Sequence, residues 1–276
     1  MNWIRFIFSY SLFIAVCALS LAFQAAILLD KPVDHYSYLL VFSATLCSYN
    51  FYWAIARWHN AKQLNLRSFI DKSLPNLLIC FASGIIVIIC VYYLPGVIPY
   101  LIPAGILTLA YSVPLWPVKL PAWIQRAGFL KTLLLAFTWT YVTIFIPLFE
   151  QVQLGNKNLL LLFCTRFFFM LMLCIIFDSR DARADKIKAL HSLATDVSRR
   201  SLGIIMAVVF TGFLVSGILL RYFYSTDRQM IAFIVSGISM LIVYRLSLRD
   251  RGYYFYYFLV DGMMLFTALG TFLASI

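Results

Sequence analysis

Read along the chain, apolar residues gather in nine long runs, at about 7–29, 37–58, 75–94, 97–115, 128–149, 158–177, 202–220, 229–247 and 254–275. Each is close to the ~20 residues that a helix needs to cross a bilayer's hydrocarbon. The runs are continuous and do not alternate with period two, which argues against an outer-membrane barrel. Leu94-Pro95-Gly96 and the cluster Pro114, Pro117 and Pro121 mark tight turns between runs. The first run follows Arg5 and resembles a secretion signal, but it is longer than the roughly 7–15 apolar residues of such a signal. It is therefore expected to span. The pattern predicts an all-α polytopic membrane protein of nine transmembrane helices, a single transmembrane domain over 1–276.

Composition agrees. Hydrophobic residues are 63% of the chain and charged residues 12%, against about 45–50% and about 25% in a globular domain. So little charge cannot coat a folded surface in water, and the mean hydropathy of +0.90 points to lipid as the solvent. A net charge of +11 suits a nucleic-acid partner only if the basic residues share a soluble face. Here they lie in short segments between apolar runs, so they read as topology signals and no nucleic acid is expected.

Suppose the N-terminus and the segments after runs two, four, six and eight share one side. That side carries about 17 of the Lys and Arg residues. The other has Lys31, Lys157, Arg221 and Arg228, with Arg166 inside a run. The positive-inside rule then places the N-terminus, and the two longest polar segments at about 57–74 and 178–201, in the cytoplasm. Loop brevity and charge bias suggest the cytoplasmic membrane of a bacterium. The two long segments lie four runs apart, as in a pseudo-repeat.

Chemistry concentrates where run six ends, at Phe177-Asp178-Ser179-Arg180-Asp181-Ala182-Arg183-Ala184-Asp185. A helix puts Asp178, Asp181 and Asp185 on one face within about two turns. Three carboxylates at a helix C-terminus repel one another and oppose the macrodipole. Bound Mg²⁺ is one way to offset that; a solvated turn with Arg180, Arg183 and Lys186 as ion-pair partners is the other.

That stretch resembles the second aspartate-rich motif of the UbiA superfamily of intramembrane prenyltransferases, D-x-x-x-D or D-x-x-D-x-x-x-D, often written F-D-I-R-D. Arg166-Phe167-Phe168-Phe169 is similar to the approach along that family's sixth helix. His191-Ser192-Leu193-Ala194 sits where members often carry threonine-leucine-proline, and Tyr111-Ser112-Val113-Pro114 and Lys131 resemble features of its fourth and fifth helices. The resemblance covers essentially the whole chain; only the aspartate triad is specific. It implies a helical bundle around a central cavity and transfer of a prenyl group from an isoprenoid diphosphate to an aromatic or quinone-like lipophilic acceptor. Asp178, Asp181 and Asp185 would hold Mg²⁺ and diphosphate, with Arg57, Lys131, Lys186 and Lys188 on phosphate oxygens and Asn50 orienting the head group. No obligate protein partner is implied.

Run two departs from the family. Its first motif is N-D-x-x-D-x-x-x-D, whereas this chain has Asn50 followed by Phe51, Ala54 and Trp58 at the acidic positions. Either Arg57 replaces the lost metal with a fixed cation that grips phosphate, or the chain is a non-catalytic isoprenoid- or quinone-binding homologue. As a plain interfacial anchor Arg57 would snorkel toward water, and Lys131 has the same two readings. A transporter fits least, since the spans are mostly apolar at mid-depth.

Arg166 and Asp261 lie at membrane depth, where ionisable groups are costly. Asp261 is expected to pair with Arg166 or with a cytoplasmic arginine such as Arg251, or to line a polar pocket. Cys17, Cys47, Cys80, Cys90, Cys164 and Cys174 all fall inside runs without a C-x-x-C, the pattern of core thiols. His35, His59 and His191 form no ligand set.

Overall fold

The computed structural model describes residues 7–60, 66–112, 128–152, 156–187, 193–224 and 226–276; at 57–60, 66–72, 111–112, 128, 183–187 and 221–224 it describes the backbone alone. Among the described residues there are nine long helices and no strand. They are α1 Leu12–Leu29, α2 His35–Asn60, α3 Leu66–Tyr93, α4 Ile98–Ser112, α5 Gly128–Ile144, α6 Lys157–Ile187, α7 Arg199–Tyr224, α8 Asp227–Ser247 and α9 Asp261–Ser275. A π-helical segment, Phe255–Val260, leads into α9, and a single turn, Leu193–Asp196, lies between α6 and α7.

Each apolar run has become one helix, because in hydrocarbon a backbone must satisfy its hydrogen bonds within its own segment. Seven helices are long and apolar enough to cross a membrane; those at Pro95–Ala110 and Phe129–Ile144 are shorter apolar helices. The ends follow local chemistry. Asp30 closes α1 in the left-handed region at φ 49°, where its backbone N–H donates to the carbonyls of Ala26 and Ile27. Thr226 and Gln229 form a reciprocal capping box at the start of α8.

The segments at 57–74 and 178–201 are far more helical than a loop. Helix α2 runs on to Asn60 and α3 starts at Leu66, while α6 continues ten residues beyond Phe177. Polar residues do not end a helix when no Gly or Pro interrupts it. The aspartates therefore ride on a continuous helix.

Helices α4 to α9 pack in sequence, and α9 closes against α1. Helix α1 also meets α2, α5 and α6, and α2 packs on α3. Helices α1 and α6 are the most enclosed spans and α3 the least. Phe81 and Ile88 of α3, each 71% exposed, face outward as lipid-facing positions do. On the other side, α7 and α8 approach closely: a Cβ at Gly237 would stand 2.8 Å from the Phe213 ring, so only a residue without a side chain fits there.

Candidate active site

The last turns of α6 meet the first turns of α5 and the π-helical entry to α9. Thr132, buried in the second turn of α5, donates its hydroxyl to Oδ2 of Asp178 at 2.5 Å. One turn on, Asp181 is held by a two-pronged bond from Arg180, Nε to Oδ1 at 2.7 Å and an outer nitrogen to Oδ2 at 2.8 Å. The same guanidinium lies 4.8 Å from the ring centre of Phe177 and 5.2 Å from those of Tyr256 and Tyr257. Helix α6 thus ends with each described acid engaged by a fixed donor, which offsets the clash with the helix dipole. Arg180 is locked among three aromatic faces as well, a placement that suits a planar guanidinium.

Two of the three predicted aspartates, Asp178 and Asp181, are half-buried and three residues apart on α6. Asp185 and Lys186 are placed on α6 by their backbone, but their side chains lie outside the described ones, as does that of Arg57 on α2. Lys188 lies outside the described residues. Lys131 is half-buried beside Thr132 at the start of α5. Among the described residues no group of three His, Cys, Asp or Glu side chains is close enough to hold a metal. Mg²⁺ commonly takes one or two carboxylates, with phosphate oxygens and water completing the shell. Asp178 and Asp181 are two carboxylates of that kind, with Asp178 Oδ2 engaged by Thr132 and both Asp181 oxygens by Arg180.

Asn50 is wholly buried. Its amide donates to the carbonyls of Tyr10, at 3.0 Å, and Leu46, at 2.9 Å, and its oxygen accepts from Asn76 of α3 at 2.8 Å. Each end of the amide is already used inside the bundle. A direct bond to a head group would have to displace one of these.

The predicted pairing of Arg166 with Asp261 does not occur. Arg166 donates to the Leu21 carbonyl at 3.0 Å, to Thr143 Oγ1 at 3.1 Å and to Gln24 Oε1 at 2.8 Å. Gln24 passes the network on to Thr267 and Thr271 of α9. Those threonines lie six and ten residues beyond Asp261, roughly 9–15 Å at 1.5 Å per residue. Arg251 is not the partner either: its Nε donates to the Leu246 carbonyl and its guanidinium sits over Phe255. Among the described residues no cation lies within ion-pair distance of Asp261, and Arg180 is paired with Asp181.

Thr132, Asn76, Tyr256 and Tyr257 were not singled out by the sequence, because each gains its place only from another helix. Gln24 did leave a signal, a lone amide within an otherwise apolar run.

The backbone arrangement has solved counterparts. It matches the apo structure of a UbiA homolog from Aeropyrum pernix K1 with a TM-score of 0.62 over 95% of this chain and 98% of that one, at 11% identity. The fold is that of the UbiA proteins. A second UbiA-like match, a structure of digeranylgeranylglyceryl phosphate synthase in membranes, has a TM-score of 0.57 over 99% of this chain and 97% of that one, also at 11% identity. No family model matches the sequence, and no curated protein does.

Proposed function

We propose that the chain is an intramembrane prenyltransferase of UbiA type, which ionises an isoprenoid diphosphate and passes the prenyl group to a lipophilic, aromatic or quinone-like acceptor. The observation that carries this reading is the pair Asp178 and Asp181 on α6, positioned by Thr132 and Arg180. Asp178 and Asp181, joined by Asp185 on the same helix face, would hold Mg²⁺, which neutralises charge on the departing pyrophosphate. Thr132 keeps Asp178 in one rotamer. Arg180 aims Asp181 and adds a fixed positive charge near the leaving group, as electrostatic catalysis requires. Arg57, Lys131, Lys186 and Lys188 supply further cations for phosphate oxygens. Asn50 acts from behind, tying α2 to α3 and to the start of α1. The rings of Phe177, Tyr256 and Tyr257 hold the Arg180 guanidinium in place. The protein sits in the cytoplasmic membrane of a bacterium, with this end of the bundle in the cytoplasm.

A second reading is favoured by α2, where Phe51, Ala54 and Trp58 stand at the family's acidic positions. It is a non-catalytic homologue that binds an isoprenoid or quinone. Purified protein in lipid nanodiscs, given Mg²⁺ and labelled geranyl or geranylgeranyl diphosphate, separates the two. Pyrophosphate release that disappears in Asp181→Ala supports catalysis. Binding without release supports the binder, and no binding at all rejects both.

A further inference from the structure

Asp261 is 8% exposed, so more than nine-tenths of it is buried. Among the described residues its carboxylate accepts no hydrogen bond, while its backbone carbonyl accepts from the thiol of Cys17 on α1 at 3.4 Å. The fully enclosed side-chain atoms without a partner among the described residues are Ser73 Oγ and Gln151 Oε1. The Asp261 oxygens are not among these, so they keep some exposed surface. A carboxyl so largely buried without a hydrogen-bond donor is a costly arrangement that calls for an explanation.

Its surroundings add to the case. Asp261 follows directly on the π-helical turn Phe255–Val260, and π-turns inside helices are rare and frequently mark functional sites. That turn brings Tyr256 and Tyr257 onto Arg180. Asp261 stands four and five residues beyond Tyr257 and Tyr256, the rings that pack on Arg180, and its carbonyl meets Cys17 of α1.

We propose that Asp261 is the acceptor-side residue of the site, which binds the hydroxyl of a phenolic acceptor and takes its proton during prenyl transfer. The inference rests on the prenyl-transfer reading and supplies the base which that reading leaves unassigned. The balance is simple. The allylic C–O bond breaks and its electron pair leaves with pyrophosphate. A lone pair of the acceptor oxygen, or a π pair of its ring, forms the new bond to the prenyl carbon. The proton released from that oxygen or ring goes to an Asp261 oxygen. The missing hydrogen bond of the resting protein is then the one the acceptor supplies.

The full-length protein in nanodiscs tests this with geranylgeranyl diphosphate as donor and 1-naphthol as the phenol probe. Asp261→Asn should lower kcat roughly 100-fold, within the range of a lost general base, and leave KM for the diphosphate unchanged. The acid limb of the pH profile should vanish, and Asp261→Glu should restore part of the rate. Thermal unfolding of Asp261→Asn should be unchanged, whereas a structural role would lower it. Naphthol binding, measured alone by equilibrium dialysis, should weaken at least tenfold in the Asn variant. Equal kcat and pH profile, equal naphthol affinity, or a wild type that binds no naphthol would overturn the proposal. Failure of the wild type to bind the diphosphate defeats prenyl transfer itself and is read in a separate arm.

Discussion

Asn76 of α3 donates its side-chain amide to Oδ1 of Asn50 on α2 across 2.8 Å, with both residues fully buried. Asn50 is a strut between helices. Asn50→Leu and Asn76→Leu are each expected to destabilise the fold by about 1–3 kcal/mol, because each strands a buried polar partner. The double variant should lose less than the sum of the singles. Thermal unfolding in detergent measures all three; strict additivity would deny the coupling.

Thr132 reaches Asp178 through its hydroxyl alone. Thr132→Val keeps the shape and removes the donor, so pyrophosphate release should fall about tenfold, the order expected for a lost charge-assisted bond of about 1.4 kcal/mol. Thr132→Ser should stay near wild type. A fully active valine variant would show that Asp178 needs no such support.

Arg180 combines a fork on Asp181 with three aromatic faces. Lysine is a point charge on a flexible stem and reproduces neither. Diphosphate affinity should fall at least tenfold in Arg180→Gln, and Arg180→Lys should recover only part of it. Calorimetric titration of geranylgeranyl diphosphate supplies the comparison.

Arg166 joins α1, α5 and, through Gln24, α9, deep in the bundle. Arg166→Met leaves those acceptors without their donor and should cost on the order of 3 kcal/mol in stability. The residue is ~18 Å from Asp178 along α6, so diphosphate affinity should not change. Paired unfolding and titration measurements would expose any direct role in binding.

Cys47 of α2 and Cys80 of α3 bring their sulfurs to 3.6 Å. Copper-phenanthroline oxidation should close that gap to a disulfide bond of about 2.05 Å and join the two helices. After proteolysis between α2 and α3 the fragments should stay together under non-reducing electrophoresis, and should separate in Cys47→Ser. Separation in the wild type would contradict the helix pairing.

The nine runs were legible in the sequence because a bilayer imposes one rule on every segment, apolar side chains outside and backbone bonds inside, whereas the polar extensions of α3 back to Leu66 and of α6 on to Ile187 were not. The aspartate face of α6 was legible for a similar reason, since residues three and four apart on one helix are neighbours whatever the rest of the chain does. Partner choice was another matter. Asp261 and Arg166, opposite charges at membrane depth, invite pairing on paper, yet they sit at different heights in the bundle. Thr132 of α5 bonds Asp178 of α6, and Tyr256 and Tyr257 complete the seat of Arg180. Those relationships depend on helix rotation and relative height, which neighbouring helices set by packing, and no one-dimensional pattern carries them.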